Sequence, residues 1–192
     1  QTGLRVRNSS SNFVGRRLTL TGHSQDGLRI DTGATVPELS HILARDNGRD
    51  GVAIQAAAGA LDHITAVENG RYGVWIDGRA ASLCDSVATD NGSHGMLLNN
   101  PGDLAMEGNL AADNGGWGIQ LSNSTGTATI GDADLSLARG NIVRDNRSGG
   151  IYASSFVEVV GNAVVGHSAV GHVGIQLRSG ATASRNVVMD NG

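Results

Sequence analysis

Short segments in which apolar residues alternate with variable ones recur along the chain, and each segment directly follows a glycine. Val52 and Ile54 form one apolar pair of this kind, after Gly51. A period of two predicts a strand with one buried face, whereas a helix would need apolar residues three and four positions apart. The pairs expected to point into a core are Leu4/Val6, Leu28/Ile30, Val52/Ile54, Val74/Ile76, Met96/Leu98, Ile119/Leu121 and Ile175/Leu177.

The glycines in front of these strands recur at intervals of about 23 residues, which is typical of a solenoid. They are Gly3, Gly27, Gly51, Gly73, Gly95, Gly118, Gly150 and Gly174. One interval is longer, and its extra residues between Ser122 and Gly140 are expected to bulge from one edge and wall a groove. Turns of about 22 residues with two or three short strands predict a right-handed parallel β-helix of about seven to eight turns.

An acidic residue, an asparagine and in most cases a glycine precede the strand glycines from Gly51 to Gly150, as in Asp90-Asn91-Gly92. We expect each asparagine amide to bind the asparagine of the next turn, and the Asn-Gly pair to take left-handed backbone. The asparagines are Asn47, Asn69, Asn91, Asn114, Asn146 and Asn191. The copy at Gly166-His167-Ser168 lacks the asparagine, which predicts an irregular turn; His167, like His23, His41, His63 and His172, is expected at the surface.

Composition and charge narrow the functional classes. Aromatic residues make up 3% of the chain, which fits a narrow core of stacked aliphatic side chains. The net charge of -4 argues against nucleic acid as the main partner. No apolar run reaches the roughly 18 residues of a membrane span. We expect a single domain over residues 1–192, which begins and ends within a repeat and is therefore a segment of a longer protein or is capped by a partner chain or further domains.

In a β-helix, one position of the repeat becomes a column on the surface. The position before the strand glycine carries Asp26, Asp50, Tyr72, His94 and Trp117 in successive turns. Neighbours would lie about 5 Å apart, and Arg49 and Arg71 come one residue earlier. An imidazole beside a phenol and a guanidinium suits proton abstraction next to a carboxylate. The alternative is an exposed turn that accepts any side chain.

A second column consists of the outward residues of the glycine-led strands. It interleaves aromatic side chains with amides and charges, which suits sugar rings because they have an apolar face and polar edges. The alternative is an ordinary solvated sheet face. The members are Arg29, Asp31, Ala53, Gln55, Trp75, Asp77, Leu97, Asn99, Gln120, Ser122, Tyr152, Ser154, Gln176 and Arg178.

A third column is acidic and directly precedes the asparagines. Like charges stacked at the spacing of strands repel each other. Binding of Ca²⁺ would relieve this repulsion, and screening by solvent is the alternative. The members are Asp46, Glu68, Asp90, Asp113, Asp145 and Asp190. The sequence has no Gly-x-Ser-x-Gly, His-Glu-x-x-His or zinc-type cysteine pair, so no residue is assigned to a metal.

The segment Asn91-Gly92-Ser93-His94-Gly95-Met96-Leu97-Leu98 resembles the right-handed β-helix repeats of carbohydrate-active proteins. It is most similar to the catalytic modules of mannuronan C-5 epimerases, within the pectate-lyase-like group, over roughly residues 25–192. The resemblance implies that His94 lines a substrate groove, and Arg71-Tyr72-Gly73 is a second match in a shifted register. The Asp-Pro-His-Glu tetrapeptide of those epimerases is absent here.

Residues and resemblance together suggest a secreted or cell-surface polysaccharide-processing protein, a polyuronate C-5 epimerase or lyase. His94 and Tyr72 would form the proton-transfer pair and Arg71 would neutralise the sugar carboxylate. Asp50 completes the candidate catalytic set. The candidate substrate-binding residues are Trp75, Asp77, Trp117, Arg29, Asp31 and Tyr152. A non-catalytic surface or phage-tail β-helix that binds glycans or serves as a scaffold is the alternative, and a structural spacer is the third interpretation.

Overall fold

The protein is described by a computed structural model that covers residues 1–7, 12–134, 139–167 and 171–192. Within these ranges the chain forms strands and turns without any helix, so no helix that could span a membrane is found among them. Every strand pairing in this part of the chain is parallel. The predicted all-β parallel β-helix is confirmed.

The glycine-led segments form the first sheet, which has eight strands in the described residues. Each strand pairs with its counterpart one turn away, and Val52 lies opposite Val74 in the register. Its strands, in spatial order, are β1 (Leu4–Val6), β3 (Leu28–Ile30), β5 (Val52–Ile54), β7 (Val74–Asp77), β10 (Met96–Asn99), β13 (Trp117–Ser122), β16 (Gly149–Ser154) and β19 (Val173–Arg178). Eight stacked strands agree with the predicted seven to eight turns.

The second sheet closes each turn. Its first strands are long: β2 (Val14–Thr21), β4 (Thr35–Arg45) and β6 (Ala57–Val67). Later turns split this strand in two, giving β8 (Ala80–Cys84), β9 (Val87–Thr89), β11 (Leu104–Glu107), β12 (Leu110–Ala112), β14 (Ala128–Gly131), β15 (Ile142–Arg144), β17 (Val157–Val160), β18 (Ala163–Val165), β20 (Thr182–Ser184) and β21 (Val187–Met189). Residues with positive φ, namely Arg17, His41 and His63, bend the long strands at one corner.

The core is a column of aliphatic side chains between the two sheets. The predicted inward pairs occupy it, and those from Leu28 to Leu121 are fully buried. Burial of each such side chain contributes about 1.5–3 kcal/mol. Leu177 is 36% exposed, because the last turn of the described chain has a neighbour on one side only.

The asparagine column forms the predicted ladder. The amide nitrogen of Asn69 donates to Oδ1 of Asn91 at 3.0 Å and to the Ala44 carbonyl at 3.1 Å, and Asn91 repeats this pattern with Asn114 and Ala66. The ladder side chains are buried, and no buried side-chain nitrogen or oxygen in the described residues lacks a partner. Because the amides replace water inside the turn, the ladder is structural.

The strand glycine leaves room for this ladder. A Cβ at Gly73 would lie 2.7 Å from the Gly95 carbonyl oxygen and 2.8 Å from Nδ2 of Asn91. Both distances are shorter than a van der Waals contact, and the neighbours are backbone and a buried amide that cannot move aside. The recurrence of glycine therefore reflects close approach of successive turns.

The left-handed residue of each turn differs from the prediction. The acidic residue has positive φ, between 53° and 57° along the acidic column, whereas Asn91 and Gly92 do not. The prediction for the Asn-Gly pair was wrong. The bend must come before the asparagine, so that the asparagine side chain points into the interior of the β-helix. Among residues other than glycine, short polar side chains such as that of aspartate tolerate this conformation best.

A second ladder was not predicted. Asn141 donates to Oδ1 of Asn162 at 2.9 Å and to the Met106 carbonyl at 2.9 Å. Its members are Ser86, Asn109, Asn141, Asn162 and Asn186, which follow the corner where the second sheet splits. The signal in the sequence was the recurring Gly-Asn dipeptide at positions 108–109, 140–141 and 161–162.

His167 belongs to the first ladder and is only 1% exposed, so its predicted surface position was wrong. The predicted irregular turn includes residues 168–170, which lie outside the described residues. Its Nδ1 lies 2.7 Å from Oδ1 of Asn191, and its Nε2 lies 3.3 Å from the amide nitrogen of Asn146. A neutral imidazole has one donor and one acceptor, so it can replace an asparagine amide. His41 and His63 are exposed as expected.

Only part of the insertion lies within the described residues. Part of it, β14, continues the second sheet between β11 and β17 and does not bulge from an edge. The extra residues come after this strand, and positions 135–138 lie outside the described residues.

Acid should weaken the ladder at His167. Burial lowers the pKa of this imidazole from its ordinary value of 6.5. The neutral form is favoured in the folded state, so stability is retained above pH 6.5 and is lost as the pH falls below it. Between about pH 8 and about pH 5, the free energy of unfolding measured with urea should fall less for His167→Asn than for the wild type. His41→Asn, a surface control, should behave like the wild type; equal losses in all three proteins would contradict the role of His167.

Loss of one ladder amide should be costly. Asn91→Ala removes the acceptor of Asn69 and the donor to Asn114, and leaves buried polar groups that cost about 1–3 kcal/mol each. Urea unfolding should therefore show a loss of at least about 2 kcal/mol. Asn99→Ala, on the outer face, should cost less than about 1 kcal/mol. Similar losses in the two variants would argue against the ladder as the main polar stabiliser.

Candidate functional site

The outer face of the first sheet carries the second predicted column and part of the first. The register aligns Arg29, Ala53, Trp75, Leu97, Gln120, Tyr152 and Gln176 in one row. Tyr72, His94 and Trp117 border this row at the start of their strands. We call Tyr72, Trp75, His94, Trp117 and Tyr152 the aromatic strip. All of its members are half-buried, so each side chain is partly exposed to solvent.

Tyr72 and His94 lie next to each other, as predicted. Their ring centroids are 5.5 Å apart and the ring planes differ by 5°, so the rings are stacked. Nδ1 of His94 accepts a hydrogen bond from the Trp117 backbone N–H at 2.9 Å. This bond places the proton of the neutral ring on Nε2. Burial lowers the pKa of His94, so the ring is a neutral Nε2–H donor near neutral pH.

Arg71 is held between a buried acid and two aromatic rings. Asp50, which is completely buried, pairs with it through both carboxylate oxygens, and Nε lies 2.7 Å from Oδ1. This pairing raises the pKa of Arg71. The guanidinium carbon lies 4.5 Å from the ring centre of Tyr72 and 5.5 Å from that of Trp75. Its position is therefore fixed and its charge is already neutralised.

Two acids of the predicted surface column lie inside the protein. Asp26 and Asp50 are 1% and 0% exposed, so their expected surface position was wrong. Asp26 repeats the arrangement one turn earlier, because its carboxylate lies 3.7 Å from Arg49 and 3.4 Å from Arg29. The pairing could have been recognised in the sequence: an arginine follows each buried aspartate about one repeat later.

Arg29 and Asp31 form a polar network at the other end of the same face. Nε of Arg29 donates to Asp31 at 2.9 Å and Nη2 donates to Gln55 at 2.6 Å. Arg5 also binds Asp31 at 2.7 Å and holds the pKa of that carboxyl below its ordinary value. The cations here are therefore paired with acids, as Arg71 is.

The far end of the aromatic strip is formed by Trp117 and Tyr152. Their ring centroids are 5.7 Å apart and the planes are tilted by 60°. Tyr72 and Trp75 are 6.5 Å apart at the near end. Trp75 and Tyr152 are separated by three turns, which corresponds to about 14 Å at the usual strand spacing. Asp77 lies on this face as predicted and accepts a hydrogen bond from Asn99 at 2.9 Å.

Arginines balance the acidic column. Arg45 lies 2.8 Å from Glu68, and Arg144 bridges Asp113 at 3.3 Å and Asp145 at 2.8 Å. Within the described ranges, no three carboxylates of this column bring ligand atoms together. Ion pairs therefore relieve part of the repulsion for which a Ca²⁺ ion was considered.

Comparison with known proteins agrees with this architecture. The sequence model of the family described as "Right handed beta helix region" matches residues 1–135. The chain belongs to this right-handed β-helix family. No curated protein and no solved structure matches it significantly. The comparisons therefore do not support the finer likeness to mannuronan epimerases inferred from His94-Gly95, and membership of the β-helix family defines the fold without defining an activity.

Removal of Arg71 should destabilise this β-helix more than removal of the charge on Asp50. Arg71→Ala leaves a completely buried charge without its partner, which costs about 3–5 kcal/mol. Asp50→Asn leaves a guanidinium that is 37% exposed and can be hydrated, so the loss should be about 1–3 kcal/mol. Chemical unfolding at neutral pH measures both. A larger loss for Asp50→Asn than for Arg71→Ala would contradict the assignment of the buried anchor to Asp50.

Proposed function

We propose that the protein binds an extended polysaccharide along the outer face of the first sheet, with sugar rings packed on the aromatic strip. One observation carries the proposal: both tryptophans and both tyrosines of a chain with 3% aromatic residues lie on this face. Aromatic rings are usually used to fill a core, so their collection on an open surface needs a reason.

The chemistry of the face suits carbohydrate. The rings offer flat apolar surfaces for the apolar faces of sugars, and amides and hydroxyls beside them can bind sugar hydroxyls. Asn99 and Gln120 supply such amides in consecutive turns, next to the carboxylate of Asp77. Because these side chains stand on strands of a rigid sheet, little ordering would be needed on binding. A location outside the cell or on its surface is part of the proposal.

The paired cations favour a neutral or weakly charged polysaccharide over a polyuronate. Recognition of a chain of carboxylates relies on charge-assisted bonds from arginine or lysine. Arg71 is already bound by Asp50, and Arg29 is bound by Asp26 and Asp31. We therefore expect a neutral glycan to bind more tightly than a polyuronate of equal length.

A polyuronate C-5 epimerase or lyase is the second candidate, and the stacked pair of Tyr72 and His94 supports it. Proton abstraction needs a base with a free lone pair, and in His94 the lone pair of Nδ1 is used by the Trp117 N–H. In such a reaction Tyr72 would act as the base and the Nε2–H of His94 as the donor. Glycan binding requires neither step, so it is the simpler conclusion.

Binding should depend on the tryptophans. Trp75→Ala and Trp117→Ala should each weaken binding to the best polysaccharide of a neutral and acidic panel by about tenfold, because a lost stacking contact is worth about 1–1.5 kcal/mol. Isothermal titration calorimetry measures the change. Phe156→Asn removes an exposed aromatic residue outside the strip and should bind like the wild type. Absence of binding to every glycan, or unchanged binding in both tryptophan variants, would refute the proposal.

Product analysis separates binding from catalysis. Alginate and pectin are incubated with the protein, with and without Ca²⁺, and followed by ultraviolet absorbance for unsaturated ends and by proton NMR for uronate composition. The second candidate predicts a product that disappears in Tyr72→Phe and His94→Ala. Binding without any product would show that the second candidate is wrong and leave the first intact.

A further inference from the structure

A cluster of metal-binding side chain types lies at the corner of the second sheet, away from the aromatic strip. Asp62 and His63 belong to β6, and Asp85 follows β8 one turn later. One ligand atom from each of these residues lies within 4.8 Å of the other two, and no other group of three His, Cys, Asp or Glu in the described part of the chain does this. Nδ1 of His63 lies 2.7 Å from Oδ2 of Asp62.

The repeat builds this cluster. His41, His63 and Asp85 occupy the same corner in successive turns, and all three have positive φ, from 47° to 56°. The rings of His41 and His63 are stacked with centroids 4.8 Å apart and planes that differ by 1°. Lone pairs of imidazole lie in the ring plane, so stacked rings cannot both point at one ion. His41 is therefore a support that holds the ring of His63.

The charges around the cluster leave it acidic. Asp85 is bound by Arg139 at 2.7 Å, and Arg139 also lies 3.5 Å from Glu107. Asp85 and Glu107 thus share a single guanidinium, and Asp62 adds a third carboxylate close to Asp85. Two carboxylates from adjacent turns are held close together, and a cation would reduce their repulsion.

We propose that Asp62, His63 and Asp85 bind one divalent metal ion of the zinc type. The ion replaces the proton between Oδ2 of Asp62 and Nδ1 of His63, and Asp85 and water complete the coordination. Ligands of a tetrahedral zinc ion at about 2.0–2.2 Å lie about 3.3–3.6 Å apart, so these two atoms, now at the hydrogen-bond distance of 2.7 Å, must separate slightly to admit the ion. An imidazole nitrogen with carboxylates selects this class over Mg²⁺ or Ca²⁺, which take oxygen ligands. The site joins two turns and does not depend on the glycan proposal.

Titration calorimetry with Zn²⁺ on chelator-treated, untagged protein tests the site at neutral pH. One saturable site is expected. His63→Asn and Asp85→Asn should each weaken it by about tenfold or more, since even outer-shell losses cost metal sites that much. Asparagine tolerates the left-handed backbone at both positions, so the fold should be retained. His172→Asn, outside the cluster, should bind Zn²⁺ like the wild type, and Mg²⁺ should show no saturable binding.

Histidine ring signals in NMR spectra of the wild type give a second readout that needs no variant. Zn²⁺ should shift the ring signals of His63 and leave those of His172 unchanged. Absence of a saturable zinc site, equal affinity in the wild type and both cluster variants, or shifts confined to other histidines would each overturn the proposal.

Discussion

Hydrogen bonds between the side-chain amides of successive turns hold this protein in register. The amide nitrogen of Asn69 donates to Asn91, and that of Asn91 donates to Asn114, each at about 3 Å and each in a buried position. Strand pairing and the alternation of apolar residues would still allow a turn to slip by two residues, because such a slip keeps the same side chains on the buried face. An amide that must reach both the next asparagine and a core carbonyl permits one alignment. The strand glycines, which have no side chain, then allow successive turns to approach closely.

That alignment also produces the functional surface. Side chains about two dozen residues apart become neighbours, so Tyr72 stacks on His94 and Trp117 meets Tyr152. Buried acids at the edge of the same sheet fix the cations, as Asp50 fixes Arg71 beneath Tyr72 and Trp75. Rigid rings and neutralised charges make a strip suited to sugar stacking. The stacking of successive turns also brings His63 and Asp85 together at the corner of the second sheet.

The sequence predicts the parts of this fold that repeat with a simple period. The apolar pairs, the parallel stacking and the first ladder follow from alternation and from the Asn-Gly spacing, and the vertical pairing of Tyr72 with His94 follows from them. The burial of Asp50 and the ladder position of His167 could not be predicted in this way. The ladder position of His167 depends on the left-handed Gly166 before it, and the burial of Asp50 depends on its ion pair with Arg71. The hydrophobic period encodes neither of them.

Hydrogen exchange of the asparagine side-chain amides, followed by NMR, tests the ladder most directly. The Nδ2 groups of Asn69, Asn91 and Asn114 are buried, and each donates two hydrogen bonds. Their protons should therefore exchange far more slowly than those of the outer-face Asn99. Exchange of the three ladder amides as fast as that of Asn99 would contradict the claim that they hold the turns in register.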